Sequence, residues 1–574
     1  MQMQRTILWV VFSMSILLLW DAWQQHTGNP SLLSPAPQSA ADNQPGNSQA
    51  AGGAVPGSST SADANAGIPS VGASGAAGAN GAAVPTPSGV TAPVSPSAQS
   101  AAGTAQTYQL QNDVLSLQID GKGSVVSRAL LKEHRELQGE KENVVLFNAQ
   151  PGNFYVAQTG LINAPAGSQF PTHHTAFVPT GEGVDSRLTM VAESGGLRIE
   201  REYSLIPNSY VIGIKETVQN TSDAVLNPVV YRQLTRDNHS PPGDTFFYQT
   251  FAGPVIYTDE QKFQKIDYED IIDGSAEHAS SAKDGWIGLI QHYFASAWIP
   301  QPGLQREYYT QKAGADLVSV GYKQALEPLA PGASLTTEVQ LYVGPQDQNV
   351  LEKLAPGLDL TVDYGFLTVI AKPIYWLLNW LHSHVGNWGW AIVLLTLIIK
   401  TLFFPLQAAS YRSMARMKAV APRLTALRER YGDDRAKLNQ AMMELYKTEK
   451  INPLGGCLPI LVQIPVFISL YWVLQASVEM RDAPWIGWIT DLASPDPLYI
   501  LPLLMAISMF VQVKLNPKPP DPMQAKVMMF MPIAFSVMFF FFPAGLVLYW
   551  LVNNLYSIAQ QWFITKKILG DKKG

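Results

Sequence analysis

Lys400 is the residue whose type and position most directly suggest chemistry in this chain. It stands in an apolar run, residues 390–406, that contains no other charged residue. A lysine at the centre of a membrane-spanning helix costs about 3 kcal/mol, so such residues usually face a bundle interior or a water-filled cavity. From near the end of the run, a lysine side chain can also reach the headgroup region. On this residue alone, a polar pocket and a snorkelling lysine are both open interpretations.

Further polar side chains occur at a similar predicted depth in two other apolar segments. Ordinary hydrogen bonds between helices, worth about 0.6 kcal/mol each, would explain the amides. They do not require a lysine, however, and no Asp or Glu in any apolar segment is available to pair with it. We therefore predict a hydrophilic groove reaching the inner leaflet, lined by Lys400, Thr396, Gln463, Asn553 and Asn554, with Gln560 and Gln561 lower down.

The composition and the motifs exclude several classes of function. Of 574 residues, 47% are hydrophobic and 15% charged, so the chain is long enough for two or three domains and apolar enough to lie partly in a membrane. The apolar segments contain no nucleotide-binding loop, metal-binding helix motif or nucleophile elbow. We expect no catalytic residue, no cofactor, no metal and no enzyme activity. The pair His173-His174 lacks further ligands at a fixed spacing and is interpreted as surface loop.

Five apolar segments predict membrane-spanning helices, and an N-terminal signal anchor at residues 1–26 makes six. The five are 388–406, 458–474, 498–513, 527–542 and 544–564. Basic residues concentrate in the segments 407–457 and 514–526 and in a short tail, 566–574. The charged residues of the segment 476–497 are mainly acidic. Because lysine and arginine mark the cytoplasmic side, both termini are predicted to be cytoplasmic.

The segments between the anchor and the second span are predicted to lie outside. Residues 27–107 are mainly Ala, Gly, Ser and Pro, which predicts a disordered tether. Residues 108–345 alternate apolar and polar residues between turn signals, which predicts a large antiparallel β-sandwich. Residues 346–385 predict a linker and an interfacial amphipathic helix, although a buried soluble helix has the same pattern.

Residues 407–452 predict a cytoplasmic helical hairpin. Apolar residues recur every three or four positions on both sides of Gly432-Asp433-Asp434, which is typical of two antiparallel helices with a short coiled-coil seam. Pro422 is expected to disturb the first helix locally. The basic residues of this hairpin are candidates for contacting lipid headgroups or a ribosome, although a solvated charged face is the simpler explanation. They are Arg412, Arg416, Lys418, Arg423, Arg428 and Arg430.

Three stretches resemble the YidC insertase family of Gram-negative bacteria, within the YidC/Oxa/Alb superfamily. They are EKINPLGGCLPILVQIP at 449–465, DPMQAK at 521–526 and FPAGLVLYW at 542–550. The resemblance implies an α-helical polytopic inner-membrane protein whose five-helix core, residues 386–565, surrounds a cytosol-open groove. It also implies that the β-sandwich is a periplasmic supersandwich domain.

The resemblance also bears on single residues. The family usually has an arginine where this chain has Lys400, so the charge is kept but bidentate geometry is not. Thr396 matches a family threonine, and a substrate-contacting tyrosine of the family falls on Trp550, beside Tyr549. The resemblance therefore adds Tyr549 and Trp550 to the predicted groove residues. The short basic tail implies that ribosome contacts rest on the hairpin and inner loops.

These features predict a membrane protein insertase and chaperone. The resemblance implies that it works alone or with the SecYEG translocon and accessory Sec proteins. Its other expected partners are nascent membrane proteins, the ribosome and the phospholipid bilayer, without sequence-specific nucleic-acid recognition. Two alternatives stay open at this point: an ion or solute transporter using Lys400 as an anion site, and a membrane-anchored glycan-binding protein.

Overall fold

A computed structural model gives the structure of most of the chain. It describes residues 67–70, 106–136, 142–181, 185–239, 251–432, 434–449, 458–515, 530 and 536–564. The predicted anchor at 1–26, the tail at 566–574 and most of the apolar segment 527–542 lie outside the described residues. The described residues belong to two compact units: residues 413–432 and 434–449 belong to one, and the other described ranges belong to the other.

The part of the chain predicted to be exported forms a β-domain of two antiparallel nine-stranded sheets. Its strands are β1 (Thr107–Gln111), β2 (Leu115–Asp120), β3 (Val125–Arg135), β4 (Asn143–Gln150), β5 (Asn153–Ile162), β6 (Val178–Pro179), β7 (Arg187–Ser194), β8 (Leu197–Leu205), β9 (Val211–Asn220), β10 (Val229–Asp237), β11 (Gly253–Thr258), β12 (Lys262–Lys265), β13 (Ser281–Ala282), β14 (Trp286–Ile290), β15 (Phe294–Pro300), β16 (Arg306–Lys312), β17 (Leu317–Ala325) and β18 (Ser334–Pro345). The first sheet has the order β1-β2-β3-β4-β5-β10-β17-β16-β13, and the second has the order β12-β11-β14-β15-β18-β9-β8-β7-β6.

The alternation of apolar and polar residues explains these strands. In β8, for example, Leu197, Ile199, Arg201, Tyr203 and Leu205 are buried, and the residues that alternate with them are more exposed. Side chains with a period of two point to one face of a strand, so each sheet presents an apolar face to a shared core. Buried residues of both sheets belong to one hydrophobic cluster. The predicted antiparallel β-architecture is confirmed.

A buried ionic group ties the two sheets together. Glu216 of β9 accepts a hydrogen bond from Nε of Arg201 at 2.8 Å and another from Arg232 of β10, which belongs to the other sheet. Burial alone would raise the pKa of the Glu216 carboxyl, but the guanidinium groups of Arg232 and Arg201 hold that pKa below its ordinary value. Because a buried charge is costly without partners, these three residues depend on one another.

Helices dominate the rest of the described chain. They are α1 (Tyr268–Asp273), α2 (Gln348–Leu354), α3 (Thr368–Val385), α4 (Trp388–Leu402), α5 (Phe404–Tyr431), α6 (Arg435–Thr448), α7 (Leu458–Ala476), α8 (Ile500–Leu515) and α9 (Ala544–Phe563). Buried residues of α3, α4, α7, α8 and α9 belong to a second hydrophobic cluster, which we call the helical core. The ends of α7, α8 and α9 lie within two residues of the apolar segments predicted from the sequence.

The predicted second span, residues 388–406, is not one straight helix. Helix α4 ends at Leu402, and the chain bends by 59° before α5. Pro405 lies in the first turn of α5, a position that tolerates its missing N–H group. By length and composition, the bent pair Trp388–Leu402 and Phe404–Ser413 is sufficient to cross a bilayer, whereas no single helix among the described residues is.

The compact unit that contains residues 413–449 includes most of α5 and all of α6. Val420 and Leu424 of α5 are buried against Met442 of α6. Further apolar residues pack around these three: Met417, Leu438, Leu445 and Tyr446. Asp434 begins α6 by accepting a hydrogen bond from the backbone N–H of Lys437 at 3.1 Å. Helix α5 continues through Pro422, so the expected local disturbance does not end it.

One expectation about the β-domain needs correction. His173 is not on a surface loop, because it is 5% exposed and its Nδ1 atom lies 2.5 Å from the Tyr231 hydroxyl. Within the described ranges, no group of three or more His, Cys, Asp or Glu residues is suited to hold a metal. Residues 67–70, in the predicted disordered tether, have defined positions against the first sheet.

Candidate functional site

Helix α9 is the element around which the polar residues of the helical core assemble. Its first turns are buried and almost entirely apolar, whereas its second half carries four buried polar residues: Asn553, Ser557, Gln560 and Gln561. Steps of three and four residues place these side chains on one face of the helix. Helix α9 packs against α4, α7 and α8, so this face points into the bundle.

Lys400 reaches this face from the last turn of α4. Its side chain is 2% exposed, and its Nζ atom donates a hydrogen bond to Oγ of Ser557 at 2.8 Å. Ser557 in turn donates to the carbonyl oxygen of Asn553 at 2.8 Å. Among the ion pairs of the described residues, none includes Lys400. The buried ammonium group of Lys400 therefore has a neutral hydroxyl as its hydrogen-bond partner.

The two other neighbours of α9 contribute one hydrogen bond each at the same level. Nε2 of Gln463, from α7, donates to Oδ1 of Asn553 at 2.8 Å. Nδ2 of Asn554 donates to Oγ of Ser508, from α8, at 3.2 Å. Lys400, Gln463 and Asn553 thus meet in one interhelical cluster through Ser557, and Asn554 forms its hydrogen bond with α8 beside it.

Polar contacts continue toward the C-terminal end of α9. Nε2 of Gln512 lies 3.3 Å from Oε1 of Gln561, and Nε2 of Gln561 donates to the carbonyl oxygen of Leu515 at 3.2 Å. Gln560 is 5% exposed, and neither polar atom of its side chain has a hydrogen-bond partner among the described residues. Since buried amides normally find partners, this end of the bundle is suited to water or to an incoming polar group.

The remaining three predicted groove residues make different contacts. Thr396 is fully buried, and its hydroxyl donates to the carbonyl oxygen of Ile392 in its own helix at 2.7 Å. Tyr549 is 1% exposed. The ring of Trp550 packs 4.6 Å from that of Phe467, and its indole N–H has no partner in the described structure. Among the described hydrogen bonds, none joins Thr396, Tyr549 or Trp550 directly to Lys400, whose Nζ atom donates to Ser557.

Sequence reasoning missed three residues that contact the predicted ones: Ser557, Ser508 and Gln512. Ser557 accepts a hydrogen bond from Lys400, and Ser508 accepts one from Asn554. Gln512 lies against Gln561. Serine is common in apolar helices because it can donate to its own backbone, so it attracts little attention. The available signal was spacing, since Ser557 lies four residues after Asn553 and four before Gln561 on one helical face.

An apolar layer lies between the polar cluster and the opposite end of the helical core. Leu395, Leu470 and Leu548 are at most 1% exposed. Asn387 caps α4 by accepting a hydrogen bond from the N–H of Trp390, and its Nδ2 atom donates to the carbonyl oxygen of Pro484 at 2.9 Å. The polar cluster is therefore bordered by an apolar layer of the helical core.

The basic residues predicted for recruitment lie on exposed surface where their side chains are described. Arg423 pairs with Glu449, with Nη1 and Oε1 at 2.6 Å, and Arg430 lies over the ring of Tyr431 at 5.4 Å. Arg412 and Arg416 are exposed. The side chains of Lys418 and Arg428 lie outside the described residues.

Two family models match this chain in consecutive regions. The model described as the 60Kd inner membrane protein matches residues 380–572, and the YidC periplasmic domain matches residues 107–377. The boundary lies within α3, so the first region holds the polar cluster and the second holds both sheets. The class is therefore an inner-membrane protein with a periplasmic β-domain.

Curated relatives extend over the whole chain. The membrane protein insertase YidC of Cupriavidus necator is 49% identical over 575 residues, covering 99% of this chain and 98% of the relative. That of Bordetella pertussis is 50% identical over 576 residues, with the same coverage of 99% and 98%. An active YidC insertase crystal structure aligns with a TM-score of 0.38 at 16% identity, covering 80% of this chain and 92% of that one. The chain belongs to the YidC family of membrane protein insertases, which confirms the resemblance noted in its sequence.

Proposed function

We propose that this chain inserts proteins into the inner membrane through a hydrophilic groove between α4, α7, α8 and α9, with Lys400 as its cationic centre. The observation that carries this proposal is the buried ammonium group on a neutral partner, Ser557. An ammonium has three N–H donors, and an uncompensated buried charge favours an incoming carboxylate. The side-chain amides of Gln463 and Gln561 supply further donors and acceptors for a polar segment.

The groove acts by shortening the apolar path that a polar segment must cross. The hydrophilic flank of a short incoming segment enters at the polar end of α9, where the side chain of Gln560 has no hydrogen-bond partner among the described residues. Lys400 attracts acidic residues of that flank, and the apolar layer of Leu395, Leu470 and Leu548 closes the groove toward the outer leaflet. Each polar group that finds a partner avoids a desolvation cost of several kcal/mol. Burial of the apolar part in lipid then drives release, without nucleotide hydrolysis or a covalent step.

We further propose the topology and partners that this activity needs. Six spans place both termini in the cytoplasm and the β-domain in the periplasm, because basic residues favour the cytoplasmic side. The exposed Arg412, Arg416, Arg423 and Arg430 favour a negatively charged partner, such as a ribosome delivering nascent membrane proteins or anionic lipid headgroups. The protein works alone or beside the SecYEG translocon and accessory Sec proteins.

Insertion by the purified chain in liposomes tests the role of the charge. Protease protection follows a single-span substrate whose translocated flank is either acidic or neutral. For Lys400→Met we expect about a tenfold loss with the acidic flank, since the buried charge pair is removed, and a smaller loss with the neutral flank. Lys400→Arg is expected to keep activity because it retains the charge.

The control is Lys372→Met, which removes a lysine of α3 that pairs with Asp359 at 2.9 Å outside the polar cluster. It is expected to leave both substrates unaffected. Equal losses with acidic and neutral flanks in Lys400→Met would contradict the electrostatic role. Absence of insertion above empty liposomes by the native chain would contradict independent activity, and repeating the assay with purified SecYEG would then test the partner.

A further inference from the structure

Residues 67–70, with the sequence Gly-Ile-Pro-Ser, lie against one face of the first sheet. The carbonyl oxygen of Gly67 accepts two hydrogen bonds, from Nε2 of Gln233 at 3.0 Å and from Nε2 of Gln311 at 3.1 Å. The carbonyl oxygen of Ser70 accepts one from Nζ of Lys323 at 2.9 Å. Pro69 between them is buried. The segment is therefore held at both ends by side chains of the β-domain.

Strand register places the three donors on the same face. Gln233 of β10 pairs with Gly321 of β17, which pairs with Tyr309 of β16. Gln311 and Lys323 lie two residues from members of this row, on β16 and β17. Paired residues and residues two apart in a strand share a face, so these donors form one polar surface, which we call the docking face.

The donors of the docking face are held in position by their neighbours. Gln233 is fully buried, its Nε2 atom also donates to Oε1 of Gln158 at 2.7 Å, and its Oε1 atom accepts from the hydroxyl of Tyr309 at 2.7 Å. Lys323 is 8% exposed and pairs with Glu307 at 3.0 Å. Because these groups are already oriented, little side-chain entropy is lost when a segment binds.

The segment itself suits this face. Gly67 has a φ of +78°, which disfavours any residue with a Cβ atom, and an added Cβ would lie 3.8 Å from Nε2 of His173. Pro69 has a fixed φ and restricts Ile68 to extended conformations. The bound backbone is thus partly preset, and recognition goes through two carbonyl oxygens and a buried proline.

We propose that the docking face is a binding site for an extended, proline-containing peptide, and that its occupant is the chain's own Gly67–Ser70 segment. The contact pins the predicted tether to the β-domain midway along its length. The connection between residue 26 and the first contact with the β-domain is then 40 residues, 27–66, instead of the 80 residues from 27 to 106.

Photocrosslinking of the full chain in membranes tests this site. Ser70 is exposed, so p-benzoylphenylalanine at this position is compatible with docking. After irradiation, mass spectrometry is expected to find the crosslinks concentrated on β10, β16 and β17. Gly67→Val should lower their yield roughly tenfold, since a branched side chain disfavours positive φ. Gly78→Val, the same change eleven residues along the tether, should leave the yield unchanged.

Changes on the β-domain provide a second measurement. Gln311→Ala removes one of the two donors to Gly67 and is expected to lower the crosslink yield, whereas Gln219→Ala, a half-buried glutamine of β9 in the other sheet, should not. Thermal unfolding checks that both variants retain the fold. Crosslinks spread over the whole domain surface, or equal yields in native chain and Gly67→Val, would overturn the proposal.

Discussion

Glu479 shows how one buried carboxyl makes the stability of the helical core depend on pH. It lies just after α7, where its Oε1 atom accepts from the Tyr375 hydroxyl at 2.6 Å and its Oε2 atom is buried without a partner among the described residues. Burial raises the pKa of this carboxyl from 4.5 to about 7, and the nearby charge of Asp347 adds to the rise. The folded protein therefore favours the protonated acid.

This direction fixes the expected pH dependence of unfolding. Between pH 4.5 and about 7 the folded state binds a proton that the unfolded state has released, so stability falls as pH rises through this window. Glu479→Gln keeps the acceptor for Tyr375 and removes the charge. We expect it to stabilise the protein by about 2 kcal/mol at pH 8 and to have little effect at pH 4.5.

Denaturant unfolding of both proteins in detergent at several pH values measures this difference. The control is Glu338→Gln, which changes an exposed carboxyl on β18 of the second sheet. This variant makes the same change of side chain outside the helical core. Parallel stability curves of the native chain and Glu479→Gln from pH 4.5 to 8 would contradict a pKa of Glu479 that is raised on folding.

At the scale of elements, the start of α4 depends on close contact with the loop after α7. A Cβ atom added to Gly389 would lie 2.2 Å from Cδ1 of Trp485, so the indole ring lies directly on the helix backbone. Alanine has a helix propensity better than glycine by about 1 kcal/mol, but overpacking costs about 1 to 3 kcal/mol. We expect Gly389→Ala to destabilise the helical core, measured by unfolding in micelles.

A double-mutant cycle separates the contact from the propensity. In the background of Trp485→Ala the clash is absent, so Gly389→Ala should there be neutral or stabilising. Destabilisation of the same size in both backgrounds would place the cause elsewhere in α4. The cycle needs no assumption about how far the indole moves in the single variant.

The helix bounds show what sequence patterns determine in this chain. The hydrophobic runs predicted the ends of α7, α8 and α9 to within two residues, because the length of an apolar segment can be read from local composition. They missed the bend after Leu402, since residues 401–406 are mostly as apolar as those before them. Pro405 was the available signal, because a proline is most easily accommodated in the first turn of a helix.

The candidate site was predictable in part for a similar reason. Charge and depth identified Lys400, Gln463, Asn553 and Asn554 as a group, because burying them without partners is costly. Which hydroxyl accepts the hydrogen bond from Lys400 depends on the rotation of α9 relative to α4. That rotation is set by packing between segments that are distant in the sequence. Sequence periodicity alone therefore did not single out Ser557, although it lies on the correct face.

At the scale of the whole molecule, Arg481 connects the helical core to the β-domain. Its guanidinium donates to the carbonyl oxygens of Arg135 and Glu136 and lies 5.5 Å from the ring centroid of Tyr293. Arg481→Ala removes these contacts and is expected to speed hydrogen exchange at the end of β3 about tenfold, with no change in α9. Exchange followed by mass spectrometry measures both regions in one sample.

Two further variants define what the contact requires. Arg481→Lys keeps the charge but lacks the planar fork that bonds two carbonyl groups, so it should resemble Arg481→Ala. Arg198→Ala changes a half-buried arginine of β8 and serves as the matched control. Unchanged exchange at β3 in Arg481→Ala would mean that other contacts, such as His292 with the carbonyl oxygen of Gln475, hold the two parts together.

The bend after Leu402 has a consequence for the charge beside it. Because α4 ends there, Lys400 lies in its last turn and not in the middle of a longer helix. The aligned peptide dipoles of a helix place about half a negative elementary charge at its C-terminus, which stabilises a nearby cation. A straight helix through residue 406 would carry that partial charge further along the chain. The break therefore provides electrostatic compensation from the backbone for a lysine that has no carboxylate partner among the described residues.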